Sequence, residues 1–144
     1  MAIINPYINF NGNTEEAFNF YKSVFGGEFA MLIRFKDMPS PGQTLPESDA
    51  NKIMHISLPI GKENMLMATD FVESMGQKMI EGNRYSISIC AQSREEADKL
   101  FHGLSAGGKV EVPISDSPWG SYFGLFKDKF EIQWMVDFDS RVNH

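Results

Sequence analysis

The feature that most constrains this chain is an internal repeat. Glu15-Glu16-Ala17 returns as Glu95-Glu96-Ala97, an offset of 80, and Gly26-Gly27 returns as Gly107-Gly108, an offset of 81. Between these landmarks each copy has apolar residues at helical spacing: Ala17, Phe18, Tyr21, Val24 and Phe25 in the first, Ala97, Leu100, Phe101 and Leu104 in the second. The glycine pairs read as helix stops. Strand-like runs surround each helix in the same order. In the first copy they are Ile3 to Phe10 (interrupted by Pro6), Glu28 to Lys36, Lys52 to Ile60 and Asn64 to Thr69. In the second they are Arg84 to Ala91, Lys109 to Ile114, Tyr122 to Lys127 and Phe130 to Val136. Each half therefore reads β-α-β-β-β, an α+β arrangement. One such unit leaves a face of its sheet uncovered. Two can bury those faces against each other and leave a cleft between them.

The punctuation supports this division. Asn13 with Glu16, and Ser93 with Glu96, have the spacing of capping boxes at the two helix starts. The chain reads as a single domain over 1–144, with module one at about 3–70, a linker at about 71–82 and module two at about 83–138. The linker has room for one helical turn. The fifteen residues from Asp37 to Asn51 contain Pro39, Pro41, Gly42 and Pro46, and are long enough to be a flap or a functional loop.

Charge and cysteine usage narrow the function classes. Thirteen Lys and Arg against nineteen Asp and Glu leave a net charge of −6. That disfavours nucleic acid and anionic membranes, which both reward a basic patch. A single cysteine, Cys90, excludes a disulfide framework and a multi-cysteine zinc site, and fits a reducing cytoplasm. Neither a signal-peptide pattern nor an apolar run of about 18 residues is present, so the expectation is a cytoplasmic protein.

Specific motifs carry a resemblance over about residues 3 to 138. They are Ile4-Asn5-Pro6-Tyr7-Ile8-Asn9-Phe10-Asn11-Gly12-Asn13, Glu16-Ala17-Phe18, Phe20-Tyr21, Phe25-Gly26-Gly27, His55, Trp119-Gly120 and Trp134. With the paired βαβββ modules, they resemble the PhnB-like branch of the vicinal oxygen chelate superfamily, which includes glyoxalase I and the bleomycin- and fosfomycin-resistance proteins. The resemblance implies an incompletely closed eight-stranded barrel-like sheet with a central pocket, in a homodimer. One departure is Asp128-Lys129-Phe130-Glu131, where relatives have Asp-Pro followed by Gly; this implies a wider turn here.

Metal-dependent members of that superfamily take four His, Glu or Gln ligands from the first and fourth strands of each module. Carried over, those positions fall on Pro6, Met67, Ser86 and Gln133. Divalent metal enzymes need several converging N or O donors, and Pro and Met supply neither imidazole nor hard oxygen. A one-residue slip brings in Asn9, Asp70 or Ser88, which still make no His/Glu set. The expectation is no metal and no cofactor.

The remaining candidates come from strand alternation. His55 stands mid-strand with Ile53 and Ser57 as same-face neighbours. It reads either as a structural histidine satisfied by a hydrogen bond or as a pocket residue that binds or protonates a ligand. His102 falls on the polar side of the second helix, and His144 is in the tail. Cys90 shares a face with Ser86 and Ser88; it is a nucleophile only with a base and an electropositive setting, and otherwise a small hydrophobe. Met65 and Met67 point the same way, and Met135 shares the face of Gln133; these methionines fill a core or floor an adaptable pocket. Trp119, Tyr122 and Phe123 are candidate pocket walls, Trp134 a core residue, and Asp70 a turn former.

Three functions follow. The first is a metal-independent module that binds a small, partly apolar molecule through Met65, Met67, Ser86, Ser88, Trp119, Tyr122 and Gln133. The second is a lyase or isomerase of the same fold with His55 as acid–base group. The third is a structural or regulatory dimer. No nucleotide-binding glycine loop, H-E-x-x-H or G-x-S-x-G is present. Nothing resembles the glycine-rich strand–turn–helix of a common adenosylmethionine-binding fold, which argues against the methyltransferase activity attached to some PhnB-like sequences.

Overall fold

Where apolar residues alternate with polar ones, the backbone runs as strand, and where they recur every three or four residues it runs as helix. The computed structural model describes residues 3–38, 45–76 and 78–141. In chain order the elements are β1 (Tyr7–Phe10), α1 (Thr14–Phe25), β2 (Met31–Arg34), a 3-10 turn (Phe35–Asp37), the one-turn α2 (Glu47–Ala50), β3 (Ile53–Ile60) and β4 (Asn64–Asp70). A second 3-10 turn (Glu73–Met75) precedes β5 (Ile87–Cys90), α3 (Arg94–Ser105), β6 (Lys109–Asp116), β7 (Tyr122–Lys127) and β8 (Gln133–Phe138). The contacts divide the chain into two units, Met1–Glu81 and Gly82–His144. Each holds one open four-stranded sheet, ordered β1-β4-β3-β2 in unit one and β5-β8-β7-β6 in unit two. In each, the first strand pairs in parallel with the fourth and the other pairings are antiparallel. This is the α+β double βαβββ arrangement that the repeat requires.

Several element ends differ from the sequence expectation, each for a local reason. Strand β1 starts at Tyr7 because Pro6 has no N–H to offer the ladder; its carbonyl still accepts from the Met67 N–H at 3.0 Å. Strand β8 starts only at Gln133 because Asp128 to Ile132 forms a closed turn rather than a wide one. Its ends are joined by the Asp128 N–H donating to Ile132 O at 2.9 Å, and Glu131 takes the left-handed conformation, φ 70°. Six residues of the Asp37 to Asn51 loop, 39–44, and His144 lie outside the described residues. The described part of the loop contains α2, where the buried Asp49 pairs with Lys52 Nζ at 2.9 Å and accepts from Ser74 Oγ at 2.7 Å.

The two helices start differently. Helix α3 opens as expected: Ser93 Oγ accepts from the Glu96 N–H at 3.0 Å, while Glu96 reaches back to the Gln92 N–H at 3.0 Å. Helix α1 does not use its Asn13 side chain as a cap. Instead Asp70, at the end of β4, accepts from both the N–H and the Oγ1 of Thr14, at 3.0 and 2.6 Å, and from the Ile53 N–H at 2.8 Å. Asp70 is thus a buried tie between α1, β3 and β4 rather than the turn former expected from the sequence.

Each helix covers one face of its sheet. Under α1 lie Phe10, Ile56, Leu58, Leu66 and Ala68, with Phe18 packed edge-on against Phe10 and Tyr21. Under α3, Phe101 meets Phe126 edge-on at 5.1 Å, beside the buried Trp134 and Val136. Gly124 is required here, since a Cβ would stand 2.5 Å from the Phe101 ring. In the β7–β8 turn, the buried Asp128 accepts from the N–H groups of Phe130 and Ile132 and from Trp134 Nε1 at 2.8, 3.0 and 2.9 Å.

Removing Asp70 strands three donors inside unit one. Asp70→Ala is expected to lower the unfolding free energy by about 3 kcal/mol, and Asp70→Asn, which keeps one acceptor oxygen, by about half as much. Urea denaturation followed by circular dichroism checks this; a cost below about 0.5 kcal/mol for Asp70→Ala would contradict the role.

Candidate functional site

Because side chains alternate across a strand, the face of sheet one turned away from α1 can be read from the register. Tyr7 pairs with Met67, Met67 with Ser57, and Ser57 with Met31, giving one row across the sheet. Asn9 with Thr69, and Ile33 with His55, extend the same face. Met65 lies two residues before Met67 on β4, and both are half-buried. The Met65 N–H donates to Asn5 Oδ1 at 2.9 Å.

His55 is half-buried on this face, and its Nδ1 lies 3.3 Å from Tyr7 Oη, with the two rings 5.8 Å apart. The histidine is therefore partnered, but by an exposed tyrosine rather than by core backbone. A β-bulge decides its company. Ile33 pairs with His55 and the next residue, Arg34, pairs with Ile53, so Met54 is an extra residue on β3. Ile53 consequently turns into the core with Ile56 and Leu58, while His55 stays with Ser57. Strict alternation had put Ile53 beside His55. Tyr7 was missed as a site residue; the signal was its place in β1 between Asn5 and Asn9, on the same face by alternation.

Sheet two is built on the same plan. One row contains Ser88, Met135, Leu125 and Val112, and the next contains Cys90, Asp137, Phe123 and Ser115. Ser86 and Ser88 are exposed, and Ser86 precedes β5. Gln133 is half-buried and pairs with Lys127, and its amide donates to Tyr85 O at 2.7 Å. Trp119 is exposed in the turn before β7 and packs edge-on against Phe123 at 5.6 Å. Tyr122 does not join them. Period-two alternation sends it to the opposite face, where its Oη donates to Asp98 Oδ1 of α3 at 2.5 Å. The Arg94 guanidinium sits 4.0 Å over the Tyr122 ring and pairs with Asp116 at 2.8 Å. The Asp98 carboxylate beside it pushes the Tyr122 hydroxyl above its ordinary range.

The electrostatics of Cys90 oppose nucleophilic chemistry. Partial burial, then the hydrogen bond to Asp137 and its negative charge, push the thiol up. The reactive thiolate is thereby disfavoured at neutral pH. The metal positions fare no better. Of Pro6, Met67, Ser86 and Gln133, only Gln133 is a plausible ligand, and its amide nitrogen is engaged by Tyr85 O. Among the described residues, no group of three or more His, Cys, Asp or Glu is placed to hold a metal ion. The donor set does not fit a catalytic divalent cation.

Comparison with known proteins bears on both sheets. The family model described as Glyoxalase/Bleomycin resistance protein/Dioxygenase superfamily matches residues 3–136. Protein YjdN of Escherichia coli (strain K12) is 26% identical over 137 residues, covering 93% of each chain. The crystal structure of protein PA1353 from Pseudomonas aeruginosa superposes with a TM-score of 0.82 at 37% identity, covering 96% of this chain and 98% of that one. A PhnB protein from Bacillus cereus, provisionally named a 3-demethylubiquinone-9 3-methyltransferase, gives a TM-score of 0.73 at 25% identity, covering 95% and 99%.

Because the shift at Cys90 is upward, its alkylation by iodoacetamide at pH 8 is expected to be slower than that of free cysteine, and to accelerate as pH rises. Asp137→Asn removes the negative charge and should speed the reaction at pH 8. Mass spectrometry of timed samples checks this; alkylation of the parent protein faster than free cysteine would contradict the assignment.

Proposed function

The chain belongs to the Glyoxalase/Bleomycin resistance protein/Dioxygenase superfamily, and from that premise we propose that it binds a small, partly apolar molecule without a divalent metal. The observation that carries this reading is the face of sheet one. Met65 and Met67 offer thioethers that adapt to varied apolar shapes. Beside them the Tyr7–His55 pair and the Ser57 hydroxyl offer directional hydrogen bonds that would orient one oxygenated end of the ligand. Within unit two taken by itself, Ser86, Ser88, Gln133 and Trp119 are the residues proposed to contact a ligand. Tyr122 is left out of it, since its hydroxyl is directed to Asp98. The substitution of metal-ligand positions by Pro6 and Met67 supports metal independence.

A second reading is favoured by one contact, Tyr7 Oη to His55 Nδ1. A half-buried histidine oriented by a tyrosine is placed to move a proton, as a lyase or isomerase of this fold would need. The methyltransferase name of the Bacillus cereus relative is not carried over, because no glycine-rich strand–turn–helix for adenosylmethionine is found in the sequence. A cytoplasmic homodimer completes the proposal, supported by the family resemblance and the single cysteine.

Native mass spectrometry with elemental analysis of the same sample tests the reading. The expected result is a dimer without stoichiometric divalent metal, whose thermal midpoint does not change on adding EDTA. One divalent ion per chain would overturn it. If a turnover is found, His55→Ala should slow it by about a hundredfold or more; an unchanged rate removes the second reading.

A further inference from the structure

We propose that Trp119, Phe123 and Asp137, on the face of sheet two turned away from α3, bind a small organic cation of the alkylammonium class. Trp119 is shared with the sheet-two contacts of the proposed function, while Phe123 and Asp137 are added here; the inference does not rest on the sheet-one face. Its walls are two aromatic rings meeting at an angle: Trp119 and Phe123 lie 5.6 Å apart with their planes inclined by 65°. The faces of such rings are electronegative and attract a cation, most strongly when the cation is weakly hydrated.

The counter-charge lies directly across the ladder. Phe123 pairs with Asp137, which places their Cβ atoms about 5 Å apart. Asp137 is half-buried and, among the described residues, has no ion pair; its neighbour in the row is the Cys90 thiol. Arg141 reaches the Trp119 turn, and its charge is paired with Asp139. Arg141 Nε and one terminal nitrogen donate to the two Asp139 carboxylate oxygens at 2.9 and 2.8 Å, and that terminal nitrogen also donates to Trp119 O at 2.9 Å. The arginine thus fixes the tryptophan backbone and pairs with Asp139 rather than with Asp137, which has the neutral Cys90 thiol as its hydrogen-bond partner and no ion pair among the described residues.

The turn is also rigid. Ser117 Oγ donates to Ser121 O at 2.7 Å and accepts from the Ser121 N–H at 3.1 Å. The Gly120 N–H closes onto Ser117 O at 3.1 Å. Trp119 is therefore held 60% exposed in a defined position, which reduces the ordering needed on binding. The net charge of −6 favours the approach of a cation.

The two tryptophans make the test direct. Trp134 is only 1% exposed, so a ligand-induced change in indole emission reports Trp119. The protein is titrated with choline chloride, with its neutral carbon isostere 3,3-dimethylbutan-1-ol, and with sodium chloride as the ionic-strength control. The expected result is saturable quenching by choline with an affinity about tenfold above that of the isostere. Asp137→Asn should weaken choline binding several-fold. In Trp119→Ala, saturation-transfer NMR on the choline methyl groups should lose its signal. Equal response to choline and the isostere, or quenching that sodium chloride reproduces, overturns the proposal on the unmodified protein, whatever the variants do.

Discussion

Asp70 holds three parts of unit one at a single buried point. Its two oxygens receive the first turn of α1, the hydroxyl of Thr14 and the first N–H of β3, while its backbone ends β4. A buried polar group is tolerable only when fully partnered, so each donor fixes the others in position. The crossover of α1 over sheet one, and the start of the strand that carries His55, are both set from this residue. Unit two uses a different tie. There Asp128 closes the β7–β8 turn and anchors the buried Trp134 indole, fixing the register in which Gln133 and Met135 face away from α3.

The fold was largely legible because its signals are periodic and doubled. The repeated helix faces, the glycine stops and the strand order each constrain the same architecture, and agreement between levels is what makes such a reading robust. The boundaries were less legible because they depend on single hydrogen bonds. The capping spacing at Ser93 and Glu96 describes a local contact, and the contact formed. The similar spacing at Asn13 and Glu16 lost to a partner 56 residues away, which no local pattern encodes. The turn at Asp128 looked wide because the segment Asp128-Lys129-Phe130-Glu131 lacks the Asp-Pro and following Gly that the resemblance implies there. The chain holds Glu131 in a left-handed conformation anyway, with Asp128 accepting across the turn.

The strand faces follow the alternation of the sequence where the ladder is unbroken and depart from it at the bulge. Met65 and Met67 do share a face, as do Cys90 and Ser88. The bulge at Met54 moved Ile53 into the core and left His55 beside Ser57. Tyr122 and Phe123 are adjacent on one strand, so alternation sends them to opposite faces and only one of them can stand beside Trp119. The ring contact with Trp119 belongs to Phe123.

The unequal helix starts give the two halves different folding histories. The cap of α3 spans three residues, so it can form as soon as its own first turn does. The cap of α1 must wait for β4 to arrive from 56 residues downstream, and the closure entropy of that loop falls on the first half of the chain. A nascent chain emerging from its N-terminus therefore exposes α1 before the residue that fastens it exists. The half that is synthesised second carries the helix that can be fastened first.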